Sequence, residues 1–258
     1  MSGRVVAVLA FAAGLVPALA LGGHGASAQG SPPSIEEVSQ RMDELYRSHR
    51  SVARIELTVV RPRQTRTLRL KVWSLGRERS LSVIEAPARE AGMATLRRDR
   101  NLWNYLPRIS RTVRVPPSMM QAGWMGSDLT NDDLTRSSSL EKDFTRQLVG
   151  RSTSPAGWLY RFDAKPEVVG LWRRIEYVIS DDGTLPLEAR NYDRRLKIAR
   201  VMRFSDVATV DGRRIPTRVT MVPRDREGYR TEVRYLDIDF DAKVSESTFS
   251  LATLERRR

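Results

Sequence analysis

The sequence contains no cysteine, and that absence removes several chemistries at once. No disulfide staples the fold, no thiolate binds a metal or attacks a substrate, and no N-terminal cysteine carries lipid. Histidine is nearly as scarce, with only His24 and His49. Zinc centres and histidine-based acid–base catalysis are therefore poorly supplied. Lysine is confined to Lys71, Lys142, Lys165, Lys197 and Lys243, so arginine carries nearly all of the positive charge. The formal net charge is +13 at pH 7, with a sequence pI of about 10.7. Guanidinium groups fork onto oxyanions, and a basic chain is drawn to anionic membranes and nucleic acids. The arginines are spread along the chain, however, which is the pattern of solvated strand faces.

Met1 to Ala28 reads as a cleaved secretory leader. Arg4 supplies its positive end, Val5 to Leu21 the apolar run, and Ala26-Ser27-Ala28 the small-residue cleavage site. Export sets nucleic acid aside as a partner and leaves 29–258 as one mature domain. Ser34 caps a helix over 34–48, with Glu36 and Glu37 in the first turn and Ile35, Val38, Met42 and Leu45 on one face.

From Ala53 the hydrophobic period becomes two. Ile55, Leu57 and Val59 share a face, as do Leu68, Leu70 and Val72. Further strands are predicted around 79–85, 93–98, 102–106, 112–115, 145–153, 158–162, 175–179, 185–189, 198–204, 215–222 and 228–235. Leu140 to Phe144 is read as helical, and Ser247 to Leu254 as a short terminal helix. Asp181-Asp182-Gly183 and Asp211-Gly212 mark hairpin turns. The sum is about ten or eleven short strands in one antiparallel sheet that curls, sandwiches or closes. The chain is thus mainly β, with no linker dividing it. A half-open barrel would need its concave face covered, and the N-terminal helix and the 116–133 loop are the available covers.

That loop is the most informative stretch. Leu102-Trp103-x-Tyr105-x-Pro107 leads through a basic run to Pro116-Pro117. An aperiodic segment follows with Met119, Met120, Trp124 and Met125. Long loops without regular structure are often functional, and methionine fills changeable apolar spaces. Trp103, Tyr105, Met119, Met120, Trp124 and Met125 are the candidate lid or ligand contacts. Arg108, Arg111 and Arg114 are candidates for lipid headgroups or an acidic partner. Ser127 lacks the nucleophile-elbow pattern and a histidine base, and fits a cap better. Asp128, Asp132 and Asp133 lack the spacing of a calcium loop, so no metal, cofactor or catalytic residue is expected.

Leu102-Trp103-x-Tyr105-x-Pro107, followed by Trp124-Met125-Gly126-Ser127-Asp128-x-Thr130-x-Asp132-Asp133-Leu134, resembles the bacterial outer-membrane lipoprotein-sorting proteins of the LolA-like kind. The resemblance implies a single unclosed antiparallel β-barrel, with helical lids over a hydrophobic cavity. It implies a periplasmic carrier of lipoprotein acyl chains or lipid, in transient contact with membranes. Similar proteins partner inner-membrane exporters of the resistance-nodulation type. The missing cysteine departs from membrane-anchored relatives and fits a soluble carrier. The rival expectation is an adaptor of an envelope complex whose barrel is filled by its own side chains.

Overall fold

Ser34 starts the first helix as its neighbours predict: its hydroxyl accepts the Glu37 N–H at 3.2 Å. The computed structural model describes residues 31–255 except Arg47, 136–138 and Val169. The expected leader at Met1–Ala28, with His24, lies outside the described residues, as does the Arg256–Arg258 tail. Helix α1 spans Ile35–Glu44, a turn shorter than the apolar periodicity indicated.

Thirteen strands follow: β1 (Arg50–Arg61), β2 (Gln64–Leu75), β3 (Arg79–Ala86), β4 (Ala94–Arg98), β5 (Asn101–Leu106), β6 (Arg111–Arg114), β7 (Phe144–Thr153), β8 (Ala156–Ala164), β9 (Arg174–Ile179), β10 (Pro186–Tyr192), β11 (Ile198–Val210), β12 (Arg213–Pro223) and β13 (Arg230–Asp239). Thirteen strands among the described residues exceed the ten or eleven expected, and each falls on one of the segments read as strand, the short 102–106 and 112–115 (β5 and β6) among them. Helix α2 (Asn131–Thr135) ends the long loop, and α3 (Leu251–Glu255) lies near the end of the chain. The helix expected at Leu140 to Phe144 is instead a turn entering β7. Asp43 explains it: its carboxylate takes the Leu140 N–H at 3.1 Å and the Ser139 hydroxyl at 2.6 Å. Those bonds satisfy the backbone locally and leave the chain extended from Phe144.

All thirteen strands form one antiparallel sheet, in the order β6-β5-β4-β3-β2-β1-β13-β12-β11-β10-β9-β8-β7. Two meanders are joined where the last strand pairs with the first, from Val52 opposite Asp239 to Val60 opposite Arg230. The edge strands β6 and β7 do not pair with each other, so the barrel is unclosed. Asp211 (φ 47°) and Gly212 (φ 74°) make the tight β11–β12 turn, which needs positive φ at both central positions.

The period-two pattern sorts side chains onto two faces. One carries Ile55, Leu57 and Val59, Leu68 and Leu70, and Val219, Met221 and Val233 in a single buried cluster. This concave face continues into Tyr160, Phe162 and Ile179, where Val38 of α1 packs on it. On the opposite face, Leu81, Val83, Ala94, Leu96 and Tyr105 are covered by Val244, Phe249 and Leu254.

Candidate functional site

Residues 116–133 form an ordered strap across the concave face. It is cross-braced internally: Trp124 N–H donates to Leu129 O at 2.6 Å, Asn131 N–H to Ala122 O at 3.0 Å, and Asp132 N–H to Met120 O at 2.7 Å. Thr130 and Asp133 form a reciprocal box at the start of α2. The Thr130 N–H reaches Asp133 Oδ2 at 2.9 Å, and the Asp133 N–H reaches Thr130 Oγ1 at 3.1 Å.

Trp124 is the centre of this strap. Its side chain lies in the concave core and the residue is only 4% exposed. Its Nε1–H donates to Thr95 Oγ1 at 3.0 Å, and Thr95 in turn donates to Asn104 Oδ1 at 2.8 Å. Met125 packs half-buried against the same cluster with φ of 51°, and Arg66 holds its carbonyl oxygen. Met120 is half-buried, whereas Met119 is 53% exposed. The structure does not bring Trp103 and Tyr105 to this group. Both face the opposite side of the sheet, in the cluster roofed by Phe249 and Leu254. Arg108, Arg111 and Arg114 are exposed. Arg108 donates to Arg89 O at 3.2 Å, and Arg114 donates to Asn101 Oδ1.

Three arginines that no local motif singled out clamp the strap. Arg61 extends the inward row of Ile55, Leu57 and Val59, and Arg66 continues the row of Leu68 and Leu70. Arg200 sits between Ile198 and Met202 in the same parity. An arginine at an inward position was therefore the available signal. Arg61 donates to Asp128 Oδ2 at 3.1 Å and to Gly126 O at 2.6 Å. Arg200 forks onto both Asp133 oxygens at 2.8 and 3.2 Å and also donates to Asp128 O at 2.8 Å. Its guanidinium lies 4.7 Å from the Trp172 ring centre, and Trp172 Nε1–H donates to Asp133 Oδ1 at 3.0 Å. Burial acts to raise the Asp133 pKa. The Arg200 charge and the hydrogen bonds from Arg200, Thr130 and Trp172 outweigh it, so the carboxyl is held below its ordinary value. Thr231, fully buried in β13, donates to Asp128 Oδ2 at 2.7 Å and accepts the Asp128 N–H at 2.9 Å.

These contacts also account for the residues that invite chemistry. Ser127 Oγ donates to Trp124 O at 2.6 Å and accepts the Leu129 N–H at 3.2 Å, so its hydroxyl is part of the turn. His49 lines a cleft on the other side of α1, and His24 lies outside the described residues. Asp128 and Asp133 face arginines and donors rather than one another. Among the described residues, no group of three or more histidines and carboxylates is placed to hold a metal ion.

The strap occupies one end of the concave face, beside the β1–β2 and β12–β13 turns. The other end is open. There, α1, the β2–β3 turn and the β11–β12 turn surround a cleft of about 840 Å³, lined by Arg41, Arg77, Arg213 and Arg214 above Leu45 and Ile215.

A family model described as "Uncharacterized protein" matches residues 76–256. The chain belongs to that family. Its fold is LolA-like, as three solved structures show. A DUF1329 family protein from Desulfovibrio piger is 23% identical with a TM-score of 0.76, the match covering 87% of this chain and 100% of that one. A putative outer membrane lipoprotein-sorting protein domain from Vibrio parahaemolyticus is 19% identical with a TM-score of 0.73, covering 86% and 98%. A LolA superfamily protein from Nitrosomonas europaea is 19% identical with a TM-score of 0.71, covering 86% and 99%. No curated protein matches the chain. No helix among the described residues of this LolA-like chain is long and apolar enough to cross a membrane.

Proposed function

We propose that this LolA-like chain is a periplasmic carrier. It shelters the acyl chains of a lipid or lipoprotein on the concave face of its sheet and passes them on without covalent chemistry. Trp124 carries this reading: a large apolar ring, delivered by a loop rather than by the sheet, fills part of the concave core. Withdrawing the strap removes that ring and uncovers apolar wall. Met93, Met125, Met202 and Met221 belong to the same cluster, and methionine adapts to cargo of variable shape. Each methylene transferred from water gains about 0.8 kcal/mol, so a single acyl chain repays the loss of the indole contacts. The likeness to a putative lipoprotein-sorting domain and a LolA superfamily protein supports the same reading. An inner-membrane exporter of the resistance-nodulation type is the proposed donor. Arg108, Arg111 and Arg114 are the proposed contacts for headgroups or for an acidic patch on it.

One observation favours the adaptor reading. Arg61, Arg66 and Arg200 grip the strap through its own carbonyl and carboxylate oxygens, and a permanent plug would be held in the same way. The two readings separate in one experiment. Protein purified from the periplasm is weighed by native mass spectrometry and then titrated with a fluorescent fatty acid, alongside Trp124→Ala. A carrier co-purifies with lipid and takes up the probe saturably, and Trp124→Ala changes that uptake. Lipid-free protein and no uptake by either form would sink the carrier and leave the adaptor.

A further inference from the structure

We infer that the arginine-lined cleft at the α1 end binds an anionic phosphate headgroup, so that an amphiphile lies head-outward there with its chain directed toward Trp124. This rests on the carrier reading. Four guanidinium groups reach the cleft from three separate elements: Arg41 from α1, Arg77 from the β2–β3 turn, and Arg213 and Arg214 from the start of β12. Leu45 and Ile215 lie beneath them, and both belong to the buried cluster that holds Trp124 at its far end. The cleft is thus where the concave core reaches solvent away from the strap.

Arg41, Arg77 and Arg214 are available to a ligand. Arg41 makes no ion pair or hydrogen bond among the described residues. Arg77 and Arg214 have acids only at the long distances of 3.7 Å from Asp43 and 3.5 Å from Asp182. Arg213 lies over the Phe240 ring at 4.5 Å, and Phe240 is itself part of the concave cluster. Guanidinium forks match phosphate oxygens in pairs. Glu37 and Glu44 also line the cleft, which disfavours a polyanion and suits a headgroup of single charge. An apolar floor beside the cations selects an amphiphile over free phosphate. Along β1, Ala53 to Val59 spans roughly 20 Å of buried concave wall, the length an extended acyl chain would line once the strap withdraws.

Calorimetric titration tests the assignment with lysophosphatidylglycerol, lysophosphatidylcholine of the same chain length, and inorganic phosphate. The expected result is a preference of about ten-fold or more for the anionic lipid at low salt, eroded as salt rises. Arg41→Ala/Arg214→Ala should reduce that preference to about three-fold or less while leaving the zwitterionic lipid's affinity unchanged. If the double variant fails to fold, Arg41→Ala alone carries the comparison, since Arg41 supports no other described contact. Equal affinity for both lipids, unaffected by the variants, would overturn the headgroup site and leave the carrier standing. Binding of inorganic phosphate with neither lipid bound would reduce the cleft to a bare anion site and overturn the amphiphile. Binding of none of the three would remove the carrier reading and the inference with it.

Discussion

Replacing Asp133 with alanine would leave the Arg200 guanidinium buried beside Asp128 O with no carboxylate bonded to it. The Arg200 and Asp133 side chains are only 6% and 12% exposed, so solvent screens the pair little. Removing one partner of such a pair costs about 3–5 kcal/mol, mainly because the remaining charge stays desolvated. For a unit of this size each kcal/mol moves Tm by about 2–4 °C, which gives a fall of roughly 6–20 °C if strap and sheet unfold together. If the strap opens first, the loss appears as faster hydrogen exchange at the Trp124, Asn131 and Asp132 amides, all of which bond within it. Denaturant unfolding and hydrogen-exchange mass spectrometry, run together, read both outcomes. The acid limb gives an independent check. With its pKa held below the ordinary carboxylate value of 3.8, Asp133 contributes fully above that value. The contribution is lost as pH falls through the lower native pKa, and Asp133→Ala should flatten stability against pH in that window. A change under about 0.5 kcal/mol with unaltered strap exchange would refute the reasoning.

Two further substitutions probe single contacts. Trp124→Phe keeps most of the packing but removes the donor to Thr95 Oγ1, and should cost about 1 kcal/mol in thermal denaturation, well short of the 3–5 kcal/mol expected for alanine. Gly157→Ala would drive a new Cβ into the Ile179 carbonyl oxygen across the β8–β9 ladder. A loss of about 1–3 kcal/mol is expected in denaturant unfolding, and wild-type stability would show that the ladder yields.

Periodicity revealed which side chains share a face, but not which face of the sheet is concave. Trp103 and Tyr105 alternate correctly and so looked like partners of Trp124. The cover on their side is Val244, Phe249 and Leu254, three apolar residues too widely spaced to announce a roof. The long loop was legible as important because it carries Trp124 and three methionines without a period. Its clamps were not, since Arg61 and Arg66 lie about sixty residues before their partners and Arg200 sixty-seven residues after Asp133. Nothing local couples positions so distant; only the return of β13 to β1 brings Thr231 to Asp128. The short helix α1 and the hairpin turns depended on neighbouring residues alone, and these followed the sequence closely. The turn at Leu140 departed from it because the acid that holds it, Asp43, belongs to α1.

An unclosed sheet also sets the terms on which copies of this protein meet. Among the described residues no further strand pairs with β6 or β7, and a bare strand edge is the template for strand-to-strand aggregation. Strand β6 is only four residues long and begins and ends in arginine. Strand β7 is longer, but its register breaks between Leu148 and Gly150, and it carries Arg146 and Arg151. Two such borders repel each other and match poorly in shape. The arginine that dominates the composition thus acts at the rims as insulation between molecules, and salt would thin that insulation.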